Sequence, residues 1–448
     1  MKIKQCFLMM PNSHRQPAHS AIIAALLSAL MLASPQVAFA GPKVDACAAQ
    51  AASRFEAGFA DIGRNTDKIN TSRAIAACRA ALAAEPNSVQ AKAWLGRALW
   101  AAGNAPEALA LFEDAAAAGN YLAQSILGDA LIIGEVIAPD PERGVSLLRL
   151  AANGGYGPAQ NSLGLSYDFG DGVEQNRTEA ARWYRRAAMQ GVPRAQSNIG
   201  LMYQDGLGLD QDYVAALAWF SRAASQNDAS GLVNLGKMYQ DGLGVPVDYK
   251  RAAELYTRAA DLGSLYGLNN MGFLREEGLG VEQDLELAAS FYMQAADQGL
   301  ALAQHNLALL YEDGRGVEKD IGRAVELYKQ AAKAGETRAQ INLGLLYMDG
   351  NGVKQDYGEA LRWTRLAAEA GHPVAQNNMG YLYENGYGVP ADIDTAISWF
   401  KLSAAQGYDL AIKALERINA SQRQGNNQGN NQARNLHHDT STTSKSRN

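Results

Sequence analysis

Side chains that could perform chemistry are scarce in the chain beyond residue 40. The histidines and cysteines found there are His305, His372, His437, His438, Cys47 and Cys78. The pair His437-His438 with Asp439 could ligate a metal weakly, but it lies in a polar tail and is better explained as a chance pairing. Because no HExxH, Gly-x-Ser-x-Gly, Walker or Cys-x-x-Cys motif occurs, we predict no catalytic residue, no metal site and no cofactor.

Residues 1–40 have the features of a secretory signal peptide. A basic start without acidic residues is followed by the apolar run 21–33, which is too short to span a bilayer. Ala38 and Ala40 supply the small side chains of a cleavage site, so we predict cleavage before Gly41. The mature chain is then periplasmic or secreted and does not insert into the membrane. A retained membrane anchor is the alternative.

Cys47 and Cys78 are predicted to form a disulfide, because an exported chain matures in an oxidising compartment. The bond would close a loop of 31 residues, which the chain-entropy model values at about 3–4 kcal/mol. The alternative is a free catalytic thiol, for which no His or acidic residue stands nearby in a recognisable motif.

The composition limits the classes of function. The chain of 448 residues is 47% hydrophobic and 19% charged, so it is not disordered throughout. Its 40 basic and 46 acidic residues give a net charge of −6, without the basic excess of a nucleic-acid-binding protein. Because residues 1–40 and the last residues of the chain are basic, the body between them is more acidic still, which favours basic partners.

A repeat of 36 residues dominates the chain from residue 120 to residue 407. One Gly recurs at Gly128, Gly164, Gly200, Gly236, Gly272, Gly344 and Gly380, with Ala308 at the remaining position. A Gly-x-Gly pair follows it in units two to eight, without any insertion. This register predicts eight stacked units, 120–155, 156–191, 192–227, 228–263, 264–299, 300–335, 336–371 and 372–407.

Each unit has the pattern of two amphipathic helices, which we name helix A and helix B. In unit 192–227, Gly206 is suited to end helix A in the left-handed conformation, and Asp212 is suited to cap the start of helix B. Asn227 stands where other units have the Gly that ends helix B. The Gly inside helix A predicts a close approach by a ring of helix B, at the position of Trp219 or of Phe220. Trp219→Ala is therefore expected to open a cavity and cost about 3–5 kcal/mol.

The unit pattern A-x-x-x-L-G-x-x-Y-x-x-G-x-G-V-x-x-D-x-x-x-A-x-x-W-[YF]-x-x-A-A-x-x-G resembles the Sel-one-like repeat, a relative of the tetratricopeptide repeat. Unit seven matches it with Ala339, Leu343, Gly344, Tyr347, Gly350, Gly352, Val353, Asp356, Ala360, Trp363, Ala367, Ala368 and Gly371. Arg275, Ala308 and Thr364 depart from the pattern. The resemblance implies an all-α, right-handed superhelical solenoid of helix pairs that acts as an interaction scaffold.

The segments outside the repeats are also predicted to be largely helical. Residues 41–119 resemble the tetratricopeptide form, whose loop between the two helices is four residues shorter. Within them, Lys43–Ala60 and Thr71–Glu85 are predicted to form a helix pair that the disulfide would join. A capping helix is predicted over 408–419. The tail 420–448 is rich in Asn, Gln, Ser and Gly, and is predicted to be disordered.

Helix A lines the concave side of tetratricopeptide-like solenoids, so its residues that avoid helix B are predicted to line a partner-binding groove. These residues are Val233, Lys237, Gln240, Asn269, Phe273, Glu276, His305, Leu309, Glu312, Ile341, Leu345, Met348, Asn377, Tyr381 and Glu384. They vary between units and mix apolar with acidic and amide groups, which suits a protein or peptide. Leu309 and Leu345 could alternatively pack between units.

An Asn on helix A recurs at Asn198, Asn234, Asn270, Asn306, Asn342 and Asn378. It could bind the backbone of a bound peptide, or it could bond to the neighbouring repeat. The second interpretation is favoured, because a buried amide needs a partner.

We therefore predict a non-enzymatic, exported scaffold that binds a protein or peptide in its groove and does not bind nucleic acid. The resemblance associates such proteins with the regulation of envelope signalling or polysaccharide pathways. A secreted host-interaction factor and an envelope hydrolase with an unrecognised site are the alternatives.

Overall fold

The computed structural model describes residues 41–56, 58, 59 and 66–423. All regular secondary structure in these ranges is helical, and the repeated helix pairs form the all-α solenoid expected from the sequence. The predicted leader and residues 424–448, with His437 and His438, lie outside the described residues.

Twenty α-helices have the following bounds: α1 (Pro42–Ala51), α2 (Thr71–Ala84), α3 (Val89–Ala101), α4 (Ala105–Ala117), α5 (Tyr121–Ile133), α6 (Pro141–Asn153), α7 (Gly157–Phe169), α8 (Arg177–Met189), α9 (Pro193–Asp205), α10 (Tyr213–Ser225), α11 (Ala229–Asp241), α12 (Tyr249–Asp261), α13 (Leu265–Glu277), α14 (Leu285–Asp297), α15 (Ala301–Asp313), α16 (Ile321–Lys333), α17 (Thr337–Asp349), α18 (Tyr357–Glu369), α19 (Pro373–Asn385) and α20 (Ile393–Ala405). A 3-10 turn (Thr66–Lys68) precedes α2, and residues 409–423 form a C-terminal helix.

The helices stack in chain order. From α3 to α20 each helix has 13 residues, odd-numbered helices are A helices, and each helix packs against the next along the chain. The A helices of successive pairs also contact one another, for example α5 with α7 and α9 with α11. Among the described residues, no two B helices lie comparably close. The A helices therefore line the inner side of the curved stack.

Helix ends form as the sequence predicts. Gly206 ends α9 with φ +67°, and the Asp212 carboxylate accepts hydrogen bonds from the backbone N–H groups of Val214 and Ala215, both at 2.9 Å. Asn227 adopts φ +57° at the end of α10, where other repeats have Gly. Asp212 supplies partners for backbone N–H groups at the start of a helix, and Gly206 and Asn227 allow the left-handed turn that ends one.

In most pairs the Gly of helix A faces an aromatic ring of helix B, as predicted, whereas Gly128 meets Leu148 and Gly344 meets Thr364. A Cβ on Gly200 would lie 2.5 Å from the Phe220 ring, and one on Gly164 would lie 2.6 Å from Tyr184. The ring that meets the Gly is thus at the second of the two predicted positions. Trp219, at the first, is half-buried with the Arg222 guanidinium carbon 4.3 Å from its ring centroid.

Between pairs, two contacts lock each repeat to the one before it. The second Gly of each Gly-x-Gly turn lies against the first turn of the preceding helix B, so that a Cβ on Gly316 would meet the Leu285 carbonyl oxygen at 2.1 Å. A buried Gln on helix A donates from Nε2 to a carbonyl near the end of the preceding helix B, as Gln160 does to Ala152 at 3.1 Å. This Gln recurs every 36 residues at most positions, a signal that our sequence analysis missed.

The two ends of the stack depart from the predicted bounds. Helix α1 ends at Ala51 rather than Ala60, because Ser53 donates its backbone N–H to the Glu56 carboxylate at 2.6 Å and the following side chains contact α3 instead. The disulfide Cys47–Cys78, with 4.5 Å between Cα atoms, joins α1 to α2. The C-terminal helix continues to residue 423, so residues 420–423 are helical and were wrongly included in the disordered tail.

Candidate functional site

The inner side of the A helices is the candidate functional site, and we call it the groove. On α17 its less buried positions are Arg338, Asn342, Leu345 and Asp349, spaced by four, three and four residues along one helical face. The same four positions recur on every A helix, because the repeat has no insertions. The groove is therefore a set of rows that run across the stack, one residue per repeat.

The predicted groove residues fall into three rows, and the first packs mainly between A helices. This row consists of Val233, Asn269, His305, Ile341 and Asn377. Asn269, His305 and Ile341 are only 3%, 4% and 2% exposed, so the prediction that these three contact a partner is wrong. Val233 and Asn377, at the same position of other repeats, are half-buried. The physical reason is that successive A helices approach closely at this position, and the residue fills the space between them.

The recurring Asn bonds to the neighbouring repeat, as favoured from the sequence. Asn306 Nδ2 donates to Asn269 Oδ1 at 2.9 Å, and Asn198 Nδ2 donates to Asn161 Oδ1 at 3.0 Å. Asn342 Nδ2 lies 3.3 Å from His305 Nε2. Burial, assisted by the positive charge of Arg338, lowers the pKa of His305 to about 4, so this histidine is neutral and structural near pH 7.

Buried tyrosines bind three residues of the third predicted row, which consists of Gln240, Glu276, Glu312, Met348 and Glu384. Tyr292 and Tyr328 on the B helices donate their hydroxyl hydrogens to Glu276 and Glu312, each at 2.9 Å, and Tyr256 donates to Gln240 at 3.0 Å. Burial and then the adjacent carboxylate raise the pKa of Tyr292 and Tyr328 well above the ordinary tyrosine value.

The spacing of these tyrosines and their acceptors is visible in the sequence, although it was not among our predictions. An acceptor stands 16 residues before each of these tyrosines, whereas Met348 stands at the same distance before Thr364. Glu384, ahead of Phe400, instead binds Arg417 of the C-terminal helix at 2.6 Å. The variation in this row between repeats therefore reflects pairing within the chain rather than contact with a partner.

The second predicted row is the open part of the groove. Lys237 is exposed, Phe273, Leu309 and Leu345 are half-buried, and Tyr381 is 43% exposed. Apolar side chains at four successive repeats thus form a stripe from α13 to α19. Leu309 and Leu345 in this stripe also pack partly against the buried core, in line with the alternative interpretation. Such a stripe on a repeat surface is of the kind that buries against a partner.

The stripe ends in an aromatic cluster beside a cleft. The Tyr381 ring lies 5.9 Å from Tyr387 in an edge-on arrangement, and Tyr387 stacks on Tyr357 at 4.5 Å. A cleft of about 420 Å³ opens next to Tyr381 and is bordered by Lys413 and Arg417 of the C-terminal helix. Aromatic side chains of this kind anchor many protein interfaces.

An acidic row borders the stripe. Asp205, Asp241, Glu277 and Asp349 are exposed and stand at the last residue of their A helices. A negative charge at a helix C-terminus is unfavourable for the helix itself, because the dipole is negative there. The row therefore does not serve helix stability, and it makes this edge of the groove electronegative.

At its N-terminal end the groove is covered by the chain itself. Residues 52–56, 58 and 59, which we call the strap, lie over α3 without regular secondary structure. Trp94 Nε1 donates to the Glu56 carboxylate at 3.1 Å, and Tyr156 donates its hydroxyl hydrogen to Ser53 Oγ at 3.2 Å. The open groove therefore lies toward the C-terminal repeats, beyond the strap.

A partly buried carboxyl group lies in the same region. Burial raises the pKa of Asp129 on α5 to about 7, although a hydrogen bond from Ser162 and the positive charge of Arg194 oppose the shift. Burial and the charges of Glu56 and Asp129 together raise the pKa of Tyr156. The ionised form of Asp129 is therefore disfavoured in the folded protein relative to the unfolded chain.

Replacing Asp129 by Asn is expected to flatten the dependence of stability on pH. Because the pKa of Asp129 is raised in the folded state, its protonation contributes fully to the free energy of unfolding below pH 4. The wild-type protein loses up to about 4 kcal/mol of this contribution as the pH rises to about 7. Thermal unfolding at pH 4 and pH 8 measures this difference, which the variant should reduce. Asp205→Asn, at an exposed carboxylate, is the control, and an unchanged pH dependence in Asp129→Asn would contradict the assignment.

The Sel1 repeat matches eight consecutive segments, at 122–156, 157–192, 193–228, 229–264, 265–300, 301–336, 337–372 and 373–408, and a tetratricopeptide repeat matches residues 70–121. The chain belongs to the Sel1 repeat family. The matched Sel1 segments start one or two residues after the units read from the sequence.

Two solved structures are similar to this Sel1 repeat protein. A protective antigen of uropathogenic Escherichia coli strains, displaying an SLR fold, is 36% identical, and the match covers 69% of this chain and 67% of that chain at a TM-score of 0.48. A Sel1 repeat protein from Oxalobacter formigenes is 31% identical, with 69% and 90% covered and a TM-score of 0.48. No curated protein matches the chain in sequence.

Sel1 repeat solenoids such as this one are scaffolds suited to protein–protein interaction. Within the part of the chain that the structure describes, no helix has the length and apolar character needed to cross a bilayer. Over the same residues, no three His, Cys, Asp or Glu side chains are grouped as a metal site would require.

Proposed function

We propose that this Sel1 repeat protein binds a protein partner through the open groove of its C-terminal repeats. The apolar stripe Phe273, Leu309, Leu345 and Tyr381 carries the proposal, because it is formed at four successive repeats and faces the inner side of the stack. The acidic row beside it favours a partner segment with basic residues flanking its apolar side chains. The groove acts by binding and positioning this partner rather than by catalysis.

Export of the mature chain is the second part of the proposal. The basic start, the apolar run 21–33 and the small residues before Gly41 support it, and so does the Cys47–Cys78 disulfide. A disulfide persists in an oxidising compartment such as a periplasm or the extracellular medium. A role in regulating an envelope signalling or polysaccharide pathway fits both the location and the binding surface.

Substituting the stripe is expected to abolish partner capture. In a crosslinking pull-down from native cells, Leu309→Glu combined with Tyr381→Glu should reduce the recovered partner at least about tenfold, since two anchors become charged beside an acidic row. Val214→Glu combined with Met189→Glu makes the same change at exposed positions of B helices. This control should leave recovery unchanged.

The same cells also test the remaining parts of the proposal. If the stripe variant is folded by circular dichroism and still recovers the same partners undiminished, the groove is not the binding surface. Fractionation into cytoplasm, periplasm and medium, with detection of the protein in each, decides export. Protein found only in the cytoplasm with its N-terminal residues retained would refute it.

A further inference from the structure

The strap occupies the groove in the manner of an extended ligand. It follows α1 directly and lies against α3, and Ser53 at its start accepts the hydrogen bond from Tyr156, 103 residues away in the sequence. Its residues form no helix, so their contacts with the A helices come from individual side chains. The structure thus shows how the inner surface of α3 accommodates an extended segment.

The polar contacts that α3 makes with the strap are centred on the Glu56 carboxylate. Glu56 Oε1 accepts hydrogen bonds from Gln90 Nε2 at 2.9 Å and from Trp94 Nε1 at 3.1 Å. Arg97, which is 4% exposed, donates from Nη1 to the Ala51 carbonyl at 2.8 Å, and its charge stabilises ionised Glu56. Two donors on α3, Gln90 and Trp94, therefore converge on the carboxylate of the strap. A third, Arg97, binds the last carbonyl of α1 and adds its positive charge beside that carboxylate.

The apolar contacts of the strap come from two aromatic residues. The Phe59 ring meets Trp94 edge-on with 5.3 Å between centroids. Phe55 packs against two neighbouring clusters of buried side chains, one of which contains Trp94 and the other Val192. An aromatic residue directly followed by a carboxylate is thus the combination that this surface accepts.

The helix that precedes the strap is held in place by contacts of its own. Helix α1 is joined to α2 by the disulfide and packs against both α2 and α3. The burial of Glu56 raises its pKa, so keeping its carboxylate ionised in this place has an energetic cost. Both observations favour a strap that another peptide segment with the same side chains could replace on the surface of α3.

We propose that the inner surface of α3 is a binding site for an extended peptide segment in which an aromatic residue is followed by an acidic one, and that the strap is its intramolecular competitor. The proposal rests on the groove being a protein-binding surface, and it adds a second site to the one at the C-terminal repeats. The partner of this site is a protein with such a segment exposed in extended form.

A labelled peptide tests this competition directly. The probe is a fluorescent peptide with the sequence of residues 51–59, Ala-Ala-Ser-Arg-Phe-Glu-Ala-Gly-Phe, and its anisotropy is measured with the full mature chain. The variant Phe55→Ala with Glu56→Gln weakens the strap, so it should bind the peptide at least about tenfold more tightly than wild type. A peptide with Gln in place of its Glu should bind at least about tenfold more weakly.

Two further variants make the outcome decisive. Arg97→Gln in the weakened-strap background removes a donor on α3 and should reduce peptide binding, while Asp205→Asn, far along the stack, should not. Phe59→Ala, which keeps the polar contacts of Glu56, is a milder change that should shift binding in the same direction if the double variant does not fold. Equal binding by wild type and folded strap variants, or no preference for the acidic peptide, would overturn the proposal.

The experiment is independent of the stripe near the C-terminus. When Leu309→Glu and Tyr381→Glu are added to the weakened-strap variant, its affinity for the peptide should not change. Loss of cellular partners with peptide binding retained would therefore support both sites separately. Peptide binding that fails while the stripe still captures a partner would remove this inference and leave the proposed function standing.

Discussion

Phe220→Ala is expected to lower the local free energy of unfolding by about 3–5 kcal/mol. The Phe220 ring is fully buried between α9 and α10, and it fills the space that Gly200 leaves open. Removing it creates a cavity that the rigid pair cannot close, because the Gly has no side chain to move into it. The same ring position is occupied by Tyr184 and Phe400 in other repeats.

Trp219 is the matched control, since it is the adjacent aromatic residue on the same helix. It is half-buried and contacts the Arg222 guanidinium, so Trp219→Ala should cost about 1–2 kcal/mol despite the larger side chain. This is less than the loss of about 3–5 kcal/mol expected from the sequence, because the cavity opens at Phe220 instead. Because repeat arrays open locally, hydrogen exchange of the α9 and α10 amides in addition to urea titration is the appropriate measurement. Equal losses in the two variants would contradict the packing described here.

Gly316→Ala is expected to destabilise the junction between two repeats by at least about 3 kcal/mol. Gly316 has φ +67°, and a Cβ there would lie 2.1 Å from the Leu285 carbonyl oxygen and 2.3 Å from its carbonyl carbon. The variant must therefore move one repeat relative to the preceding one, because a backbone atom cannot rotate away. Left-handed backbone strain on Ala adds about 1 kcal/mol.

The control for this change is Gly335→Ala. Gly335 has φ +90°, but no atom lies within 4 Å of the Cβ that Ala would add. Its loss of stability reports backbone strain alone, of about 1–2 kcal/mol. The difference between the two variants in urea titration isolates the contact between repeats. If both variants lose the same free energy, the Gly-x-Gly turn does not lock the stack.

The sequence predicted the local structure well because its signals are local. Asp212, Gly206 and Asn227 each act within one turn of a helix end, so their roles could be assigned from residue type and spacing. The pairing of a helix A Gly with a helix B ring was also predicted. Because the spacing of 36 residues is strict, residues at the same position of different repeats have the same neighbours. Only the choice between Trp219 and Phe220 needed the structure.

The groove could be predicted only in part. Helical phase placed Leu309 and Tyr381 correctly on an accessible face, but it could not separate them from His305 and Glu312 on the same side of the helix. His305 is covered by the neighbouring A helix, and Glu312 is bound by Tyr328 of its own repeat. Both outcomes depend on distances between helices, which one helix's periodicity does not contain.

The sequence by itself determined the number of repeats, the helix ends and the small-against-large packing inside each pair, because these follow from interactions over a few turns repeated in register. The tertiary structure alone decided which helix A residues remain accessible and that the strap covers the inner surface of α3. The strap segment was predicted to continue the helix near α1, yet Glu56 and Phe59 contact Trp94 of α3 instead. Contacts between residues so far apart in the chain exist only once the helices are stacked.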